Sequence, residues 1–336
     1  MKKFKFDGLK QAISTAKNMS IVSHRNPDGD AVGSSLALYI CLKEIYPEKS
    51  IQVILPNKYP AFLEWLPRQD EILFFEQNPS TSTEILQQSD LVFTLDFNNF
   101  SRTGHQMAEI LSALNTDFVM IDHHQQPSEY AKYLYSDTSI GSTCEMIYES
   151  FVYLGFEDSL NQQVGECLYT GIMTDTGSFK FPSTSSRTHQ IIGKLIDLGI
   201  ENSKIHQNTF DQNSVNRLQL LGVAMRNLRI IEQHQVAYIS LSQQELDQHQ
   251  FQKGDTEGFV NYGLSIKGIN FAAIFIENKQ EHIIKISFRS VGDVDVNKFA
   301  REHFDGGGHK NAAGGKSNLS LEETIRKFEK IIKNDY

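Results

Sequence analysis

Apolar residues in the first half of the chain form two kinds of segment. Four short runs are almost continuously apolar and rich in β-branched residues: Ser20–His24, Ile51–Leu55, Asp90–Leu95 and Asp117–Ile121. Other stretches repeat apolar residues at helical spacing, namely 5–18 and Ala31–Tyr46. Apolar runs separated by helices are typical of parallel strands that are buried on both faces. The first half is therefore predicted to be an α/β domain built on a parallel sheet.

The second half changes character after a predominantly helical region. Helical spacing continues at 139–155, 161–174 and 187–200, and again at Asn216–Met225. Strands are then predicted near 228–241, 269–277 and 281–289, followed by a last helix at Leu319–Lys333. Strands grouped together with helices at either end favour a smaller α+β domain. We expect a first domain at 1–190, a helical connector at 191–215 and a second domain at 216–336.

Composition and charge exclude several classes of protein. The chain has 336 residues, of which 40% are apolar, and a formal charge of −9 from 32 basic and 41 acidic side chains. An acidic protein is a poor candidate for coating long nucleic acid, which needs clustered Lys and Arg, although a local pocket for a short anion remains compatible. No apolar run approaches the roughly 18 residues of a membrane helix. The N-terminus lacks a signal-peptide core, so a cytoplasmic protein without membrane contact is expected.

Acidic and histidine side chains follow three of the predicted strands. Because ligands bind at the carboxyl ends of strands in open parallel sheets, these side chains should converge on one crevice. Several carboxylates gathered there without compensation would be too costly, so a divalent metal site is the economical explanation. Taken singly, each residue has an ordinary alternative, such as a helix cap at Asp28. The set comprises His24, Asp28, Asp30, Asp96, Asp122, His123 and His124.

The ligand types narrow the choice of metal. Carboxylates and imidazoles without a thiolate favour Mn²⁺, Mg²⁺ or Fe²⁺. This number of ligands is compatible with two ions roughly 3.5–4 Å apart that share one carboxylate. Asp96, which lies between the others in chain order, is the candidate for sharing. Asp175, in the segment Gly171–Gly177, is a further acidic ligand candidate.

A glycine-rich segment near the C-terminus is a second candidate for ligand binding. Gly306, Gly307 and Gly308 precede His309, and successive glycine N–H groups can approach an anion closely. Upstream, Ser287 and Arg289 lie at the end of a predicted strand, where a guanidinium suits a phosphate. The alternatives are a flexible turn for the glycines and a surface ion pair for the arginine.

The order of these motifs resembles one enzyme family. His24-Arg-Asn-Pro-Asp28-Gly-Asp30, Asp96 with Arg102-Thr-Gly104, Asp122-His123-His124 and Thr174-Asp175-Thr-Gly177 follow the four motifs of DHH-family phosphoesterases. Gly306–Gly314 resembles the DHH-associated C-terminal domain. The resemblance extends over nearly the whole chain. It points to the branch that contains nanoRNase and pAp-phosphatase enzymes, with RecJ-type exonucleases as distant relatives.

The resemblance implies a role for each matched residue. One ion would be held by His24, Asp28 and Asp96, and a second by Asp30, Asp96, His123 and Asp175, with Mn²⁺ as the expected metal. Asp122, His124 and Arg102 would be catalytic, with Asp122 orienting its neighbours and His124 facing the scissile phosphate. The second domain would bind substrate through Arg289, Ser287, Gly306, Gly307, Gly308 and His309, and the active site would lie in the cleft between the domains.

The expected activity is hydrolysis of short single-stranded oligoribonucleotides to mononucleotides, together with removal of the 3′-phosphate from pAp. A phosphodiesterase acting on linear products of cyclic dinucleotides, a pyrophosphatase and an exopolyphosphatase remain alternatives, since the same metals would serve them. A non-enzymatic nucleotide-binding regulator is a further alternative, but all six ligand candidates are present. A homodimer is compatible with the resemblance.

Overall fold

The computed structural model describes residues 4–335 and has two compact units that divide between Gln212 and Asn213. The first unit contains seven strands, β1 (Phe4–Lys5), β2 (Asn18–Val22), β3 (Ser50–Leu55), β4 (Leu73–Phe74), β5 (Leu91–Leu95), β6 (Asp117–Asp122) and β7 (Tyr133–Ser136). Its helices are α1 (Leu9–Thr15), α2 (Gly29–Ile45), α3 (Pro79–Gln87), α4 (His105–Ala113), α5 (Thr143–Leu154), α6 (Gln162–Asp175), α7 (Ser186–Asp197) and α8 (Asn202–Phe210).

The seven strands of the first unit form one sheet in the order β1-β7-β6-β5-β2-β3-β4. Every pairing is parallel except that of β1 with β7 at one edge. From β2 the chain first builds outward through β3 and β4, and then returns to build β5, β6 and β7 on the other side. The strand order therefore reverses between β2 and β5, which is the position where sheets of this kind form a ligand crevice.

The two helices nearest this reversal pack unusually closely. Helix α2 is buried on all sides from Gly29 to Leu42, as expected for a helix that is apolar all round. A Cβ atom on Gly29 would lie 2.4 Å from Thr174 Oγ1 on α6, and one on Gly171 of α6 would lie 3.1 Å from the Asp30 Cα on α2 and 2.2 Å from Cys144 Sγ on α5. Only glycine allows the backbones to approach so closely. This contact brings the start of α2 beside the end of α6.

We expect Gly171→Ala to destabilise the protein by about 1–3 kcal/mol, because the added methyl group overpacks a filled interior. The same methyl group would lie 2.9 Å from Asp30 Oδ1. Gly193→Ala in α7 is the matched control, since, apart from its chain neighbours and the backbone of its own helix, none of the described residues lies within 4 Å of its added Cβ. The control should gain about 0.5–1 kcal/mol from the better helix former. Urea unfolding of both variants measures the difference, and equal effects would contradict the close packing.

The second unit is a separate α+β structure with its own core. Its strands are β8 (Arg229–Ile231), β9 (Val236–Leu241), β10 (Phe271–Asn278), β11 (Ile283–Ser290), β12 (Gly307–His309) and β13 (Ala312–Ser317). Its helices are α9 (Val215–Asn227), α10 (Gln243–Gln248), α11 (Asn261–Leu264), α12 (Val296–His303) and α13 (Leu321–Asp335). The sheet order is β12-β13-β11-β10-β9-β8, and only β9 and β10 are parallel. Buried phenylalanines dominate the core on one face, among them Phe271, Phe288 and Phe328.

The predicted fold class, a parallel-sheet α/β domain followed by a smaller α+β domain, is confirmed. Several element bounds were wrong. The predicted helix at 5–18 is the short strand β1 followed by α1, because residues 4–5 pair with the edge strand β7. The predicted strand Ser20–His24 lies earlier, at β2, so His24 is two residues beyond its end. The short strands β4 and β7 were not predicted. Helix α7 spans the predicted start of the connector at 191 and α8 lies inside the predicted connector, but both helices belong to the first compact unit.

Among the described residues, no helix is long and apolar enough to cross a membrane. Cytoplasmic residence and the homodimer stay predictions.

Candidate metal centre

The carboxyl ends of three neighbouring strands carry the predicted ligands. Strand β5 lies between β2 and β6, so Asp96, directly after β5, occupies the middle of the row. His24 follows β2 on one side, and Asp122 ends β6 on the other. Asp96 has a left-handed backbone with φ of 65°, a conformation that Asp tolerates better than most residues. The structure thus brings the side chains after all three strands to the point where the strand order reverses.

Helix termini supply the remaining acidic ligand candidates. Asp28 caps the N-terminus of α2, where its Oδ1 accepts hydrogen bonds from the N–H groups of Asp30 and Ala31, both 3.1 Å long. Asp30 lies in the first turn of the same helix, where the helix dipole favours a negative charge. Asp175 is the last residue of α6, where the dipole disfavours a carboxylate. A carboxylate at that position needs a nearby positive charge.

A third helix terminus holds Asp30 in place. The backbone N–H of Thr143 donates to Asp30 Oδ2 at 2.5 Å, and that of Cys144 donates to Asp30 Oδ1 at 2.9 Å. Both N–H groups belong to the first turn of α5, so they would otherwise lack partners within the helix. The Thr143 hydroxyl donates to Asp96 Oδ1 at 2.9 Å. Thr143 therefore positions two ligand candidates at once, a role that the sequence interpretation missed.

The two histidines nearest Asp96 have their ring orientation set by backbone carbonyls. His24 Nδ1 donates to the Arg25 carbonyl at 3.0 Å, and His123 Nδ1 donates to the Ile140 carbonyl at 3.2 Å. In the neutral ring, these bonds leave the Nε2 lone pair of each histidine directed at carboxylates. His24 Nε2 lies 3.3 Å from Asp96 Oδ2. A lone pair facing a carboxylate requires a proton or a metal ion between them.

His123 Nε2 has three carboxylates around it. It lies 3.4 Å from Asp96 Oδ1, 3.4 Å from Asp175 Oδ2 and 3.7 Å from Asp30 Oδ2. One ring N–H cannot satisfy three oxygens at these distances. Ligand atoms about 2.1 Å from a common ion are themselves about 3 Å apart, so the spacing suits a shared divalent cation.

Asp122 and His124 form a separate pair beside these ligands. Asp122 is fully buried, and its Oδ1 accepts a hydrogen bond of 2.7 Å from His124 Nδ1. Its Oδ2 is buried without a hydrogen-bond partner among the described residues. A buried carboxylate with an unpaired oxygen is expensive in an apolar interior, so positive charge nearby is again favoured.

The pKa values show how strongly the cluster favours positive charge. Burial raises the pKa of Asp30 well above its usual range, and the charges of Asp96 and Asp175 add to the rise. Burial also raises the pKa of Asp175, to about 7. For Asp96 burial acts in the same direction, but hydrogen bonds with His123 and His24 outweigh it and hold the pKa well below the usual range.

The histidines show the complementary effect. Burial alone would lower the pKa of His123, but its hydrogen bond to Asp96 and the charges of Asp175, Asp96 and Asp30 raise it far above the usual value. For His24 burial also acts downward, and Asp96 and Asp28 raise the pKa overall, against a smaller opposing effect from Arg102. Without a metal, the cluster binds protons at its imidazoles and carboxylates; divalent cations would take their place.

The donor set therefore fits a divalent metal centre. Of the groups of donor atoms that lie close enough together to hold an ion, two correspond to the expected sites: His24 with Asp28 and Asp96, and Asp30 with His123 and Asp175. A further group in the first unit joins Asp96 with Asp122 and His124. The donors are oxygen and imidazole nitrogen only, which suits Mn²⁺, Mg²⁺ or Fe²⁺ better than a softer ion. Arg102 is exposed in a 3₁₀ helix, Phe100–Thr103, and its backbone carbonyl accepts a hydrogen bond from the Arg25 N–H at 2.7 Å.

The substrate-binding candidates of the second unit gather on its sheet. Ala312 of β13 pairs with Arg289 on one neighbouring strand and with His309 on the other. Directly opposed residues share a face, so the arginine and the histidine project from the same side with the small Ala312 between them. Two residues along, Ser287, Gly314 and Gly307 form the next row.

The glycines differ from the expected exposed anion loop. A Cβ on Gly306 would lie 2.0 Å from the Gly314 carbonyl, and one on Gly308 would lie 2.5 Å from the Ala312 carbonyl. The Gly308 N–H donates to Asn297 Oδ1 at 2.9 Å, so it is already occupied. Close packing of β12 against β13 is what requires glycine at these two positions.

Fold and site together define an α/β protein with a candidate two-metal centre, and comparisons with known proteins place it in a family. Residues 18–172 match the DHH family, N-terminal domain, and residues 233–334 match the DHHA1 domain. The chain is 30% identical to the bifunctional oligoribonuclease and PAP phosphatase NrnA of Bacillus subtilis, with 91% of each chain covered. The chain therefore belongs to the DHH family, as its motifs predicted.

Two further comparisons agree with this assignment. The probable bifunctional oligoribonuclease and PAP phosphatase NrnA of Streptococcus mutans is 28% identical over 97% of each chain. The crystal structure of an exopolyphosphatase-related protein from Bacteroides fragilis superimposes with a TM-score of 0.94 at 35% identity, covering 99% of this chain and 97% of that one.

Proposed function

We propose that this protein hydrolyses short oligoribonucleotides to mononucleotides and pAp to AMP, using two divalent ions held by the first unit. The observation that carries the proposal is the convergence of His24, Asp28, Asp30, Asp96, His123 and Asp175 in a chain similar to NrnA along 91% of its length. The protein is a hydrolase acting on phosphoester bonds, and the proposal concerns which esters it cleaves and with which residues.

In this proposal one ion is held by His24, Asp28 and Asp96, and the other by Asp30, Asp96, His123 and Asp175, with Mn²⁺ as the preferred metal. The distances of 3.3–3.4 Å from Asp96 oxygens to His24 and His123 support a shared position for Asp96. When bound, such ions make water a better nucleophile and neutralise charge on phosphate oxygens. Thr143 orients Asp30 and Asp96 for this purpose.

His124 is proposed to contact the scissile phosphate. The hydrogen bond from its Nδ1 to the buried Asp122 fixes the orientation of the ring. A proton on Nε2 can then be donated to a phosphate oxygen or to the leaving oxygen. Arg102 is proposed to attract the anionic substrate, because its charge already acts on His24 from the rim of the site.

The second unit is proposed to bind the remainder of the nucleotide. Arg289 and His309 project from one face of the sheet with only Ala312 between them, and a guanidinium beside an imidazole suits a phosphate group. Ser287 lies in the next row beside Gly314 and Gly307, whose lack of side chains is proposed to leave room for a substrate backbone on this face. The location of the active site between the two units stays a prediction.

Phosphoanhydride hydrolysis is the second candidate function. The same metal ligands would serve a pyrophosphatase or exopolyphosphatase, and the similar Bacteroides fragilis protein is described as exopolyphosphatase-related. The similarity to two NrnA proteins favours phosphoesters. A phosphodiesterase that acts on linear dinucleotides would be a special case of the proposed activity. A non-enzymatic regulator is the least favoured alternative, because all six candidate metal ligands are present.

The test is hydrolysis by the Mn²⁺-loaded protein of 5′-labelled RNAs from two to twenty-four nucleotides, with pAp and pyrophosphate in parallel. We expect dinucleotides to tetranucleotides and pAp to be converted fastest, because a net charge of −9 disfavours long polyanions. Replacing Asp122, His123 and His124 together by alanine should abolish the activity. Turnover of pyrophosphate alone would move the function to phosphoanhydrides.

A further inference from the structure

The loop directly after Asp175 has an unusual backbone. Gly177, Ser178 and Phe179 have φ values of 57°, 60° and 66°, so three consecutive residues are left-handed and two of them are not glycine. Non-glycine residues adopt this conformation at a cost, and it persists only where the surrounding structure enforces it. Such outliers concentrate at active sites and ligand sites, so the loop is a candidate for a role in binding.

Hydrogen bonds hold the loop rigidly on the end of α6. The Ser178 N–H donates to the Met173 carbonyl at 2.7 Å, and the N–H groups of Lys180 and Phe181 both donate to the Thr176 carbonyl at 3.0 Å. The Phe179 N–H donates to Thr176 Oγ1 at 3.1 Å. A loop with this many internal bonds presents its side chains in fixed positions.

One of those side chains is the partly exposed aromatic ring of Phe181. A Cβ on Gly177 would lie only 2.5, 2.6 and 2.9 Å from three ring carbons of Phe181, so the ring packs directly on the glycine backbone. Phe181 as a whole is 40% exposed. Single exposed apolar side chains are common, but this ring is held by a left-handed, hydrogen-bonded loop, which gives it a fixed position from which it can contact a ligand.

The loop is also tied to the wall of the metal centre. A Cβ on Gly141 would contact Thr176 Cγ2 at 3.2 Å and the Ser183 carbonyl at 3.3 Å, so the segment before α5 packs against both ends of the loop. The residue before Gly141 is Ile140, whose carbonyl accepts the hydrogen bond from His123. The ring therefore packs on Gly177, two residues after Asp175, in a loop that also contacts the segment holding His123.

We propose that Phe181 is a stacking platform for a base of the nucleotide substrate. The inference rests on the proposed function, because a phosphoanhydride has no base to stack. Every base has a flat π-face, so stacking tolerates any sequence, as an enzyme that degrades short RNAs requires. Stacking also gives an acidic protein a means of holding a polyanion that does not depend on additional positive charge. Phe181 is thus a binding residue and determines preference for nucleosides over bare phosphates.

The test compares Phe181→Leu with Phe181→Trp. Leucine keeps apolar packing on Gly177 but removes the aromatic face, whereas tryptophan keeps that face. Tyr153→Leu is the matched control, because Tyr153 is 50% exposed in the same unit but stacks on Phe4, at a centroid distance of 4.9 Å, near the far end of α5. Each variant is assayed with Mn²⁺ on an RNA dinucleotide that carries two adenine bases and on analogues of it that lack the 5′ or the 3′ base. Pyrophosphate is assayed in parallel.

We expect the wild-type protein to prefer the complete dinucleotide over one of the abasic analogues by about tenfold in kcat/KM, mainly through KM. Phe181→Leu should lose this preference while keeping its activity on the abasic analogue, and Phe181→Trp and Tyr153→Leu should retain the preference. Bound 2-aminopurine dinucleotide should be quenched by the wild-type protein and by Phe181→Trp, but much less by Phe181→Leu.

Three outcomes would overturn the inference. A wild-type protein that does not distinguish complete from abasic dinucleotides has no stacking platform. Equal losses on both substrates in Phe181→Leu would assign the ring a purely structural role. If the wild-type protein hydrolyses pyrophosphate but no dinucleotide, the proposed function fails and this inference fails with it, a result readily told apart from the other two.

Discussion

Asp96→Asn is expected to lower kcat/KM by roughly a thousandfold or more. Loss of a residue that merely supports a metal ligand usually lowers metal affinity or activity by about 10–100-fold. Asp96 is proposed to be a ligand of both ions, so a larger loss is expected. Its Oδ2 faces His24 Nε2 at 3.3 Å, and its Oδ1 faces His123 Nε2 at 3.4 Å and the Thr143 hydroxyl at 2.9 Å. An amide removes the negative charge and offers one oxygen where the carboxylate offers two.

The same strand supplies the control for that variant. Asp90 immediately precedes β5, and its Oδ2 accepts hydrogen bonds from the N–H groups of Lys17 and Asn18 at 2.8 and 2.9 Å. Asp90→Asn makes the same chemical change at the opposite end of β5 and should leave kcat/KM within a fewfold of the wild-type value. Steady-state kinetics on a dinucleotide measures both variants. Similar losses in the two would mean that Asp96 acts through the fold and not through the metal centre.

His124→Ala is expected to lower kcat by about 10²–10⁴-fold while leaving bound Mn²⁺ unchanged. The Nδ1 of His124 is hydrogen-bonded to Asp122 and lies 3.8 Å from Asp96 Oδ1. His124 therefore lies beside the proposed metal ligands but is not one of them. Removing it takes away a donor to the phosphate but no ligand. Kinetics together with the metal content of the purified variant separates the two roles.

His105→Ala is the control for that experiment, because His105 is 85% exposed and pairs only weakly with Glu109 at 3.5 Å. It should have wild-type activity. If His124→Ala loses its metal in proportion to its activity, His124 is a ligand and the proposed division between Asp122, His124 and the metal residues is wrong.

Much of the site could be predicted because it follows strand ends. The apolar runs that become β2, β5 and β6 are each followed by a charged ligand candidate, and the geometry of parallel sheets places such residues at one edge. His24 was assigned to a strand that ends two residues earlier, yet its position at the crevice was unaffected. The parallel arrangement of these strands alone predicts that His24, Asp96 and His123 lie at the same edge of the sheet.

The contacts that the sequence did not predict are long-range or depend on close packing. Thr143 contacts Asp30 and Asp96 because α5 begins at the site. A single Thr in an apolar segment gives no sequence signal of such a contact. The need for Gly171 appears only once Cys144 and Asp30 lie against α6. Gly308 was interpreted as a donor to an anion, but its N–H bonds to Asn297, eleven residues away.

If this chain holds two ions through a shared Asp96, the number of Mn²⁺ ions bound per chain depends on that carboxylate. Equilibrium dialysis followed by elemental analysis should give two ions for the wild-type protein and fewer than one for Asp96→Asn, with Asp90→Asn again at two. Two ions retained by Asp96→Asn, or none bound by the wild-type protein, would contradict the account.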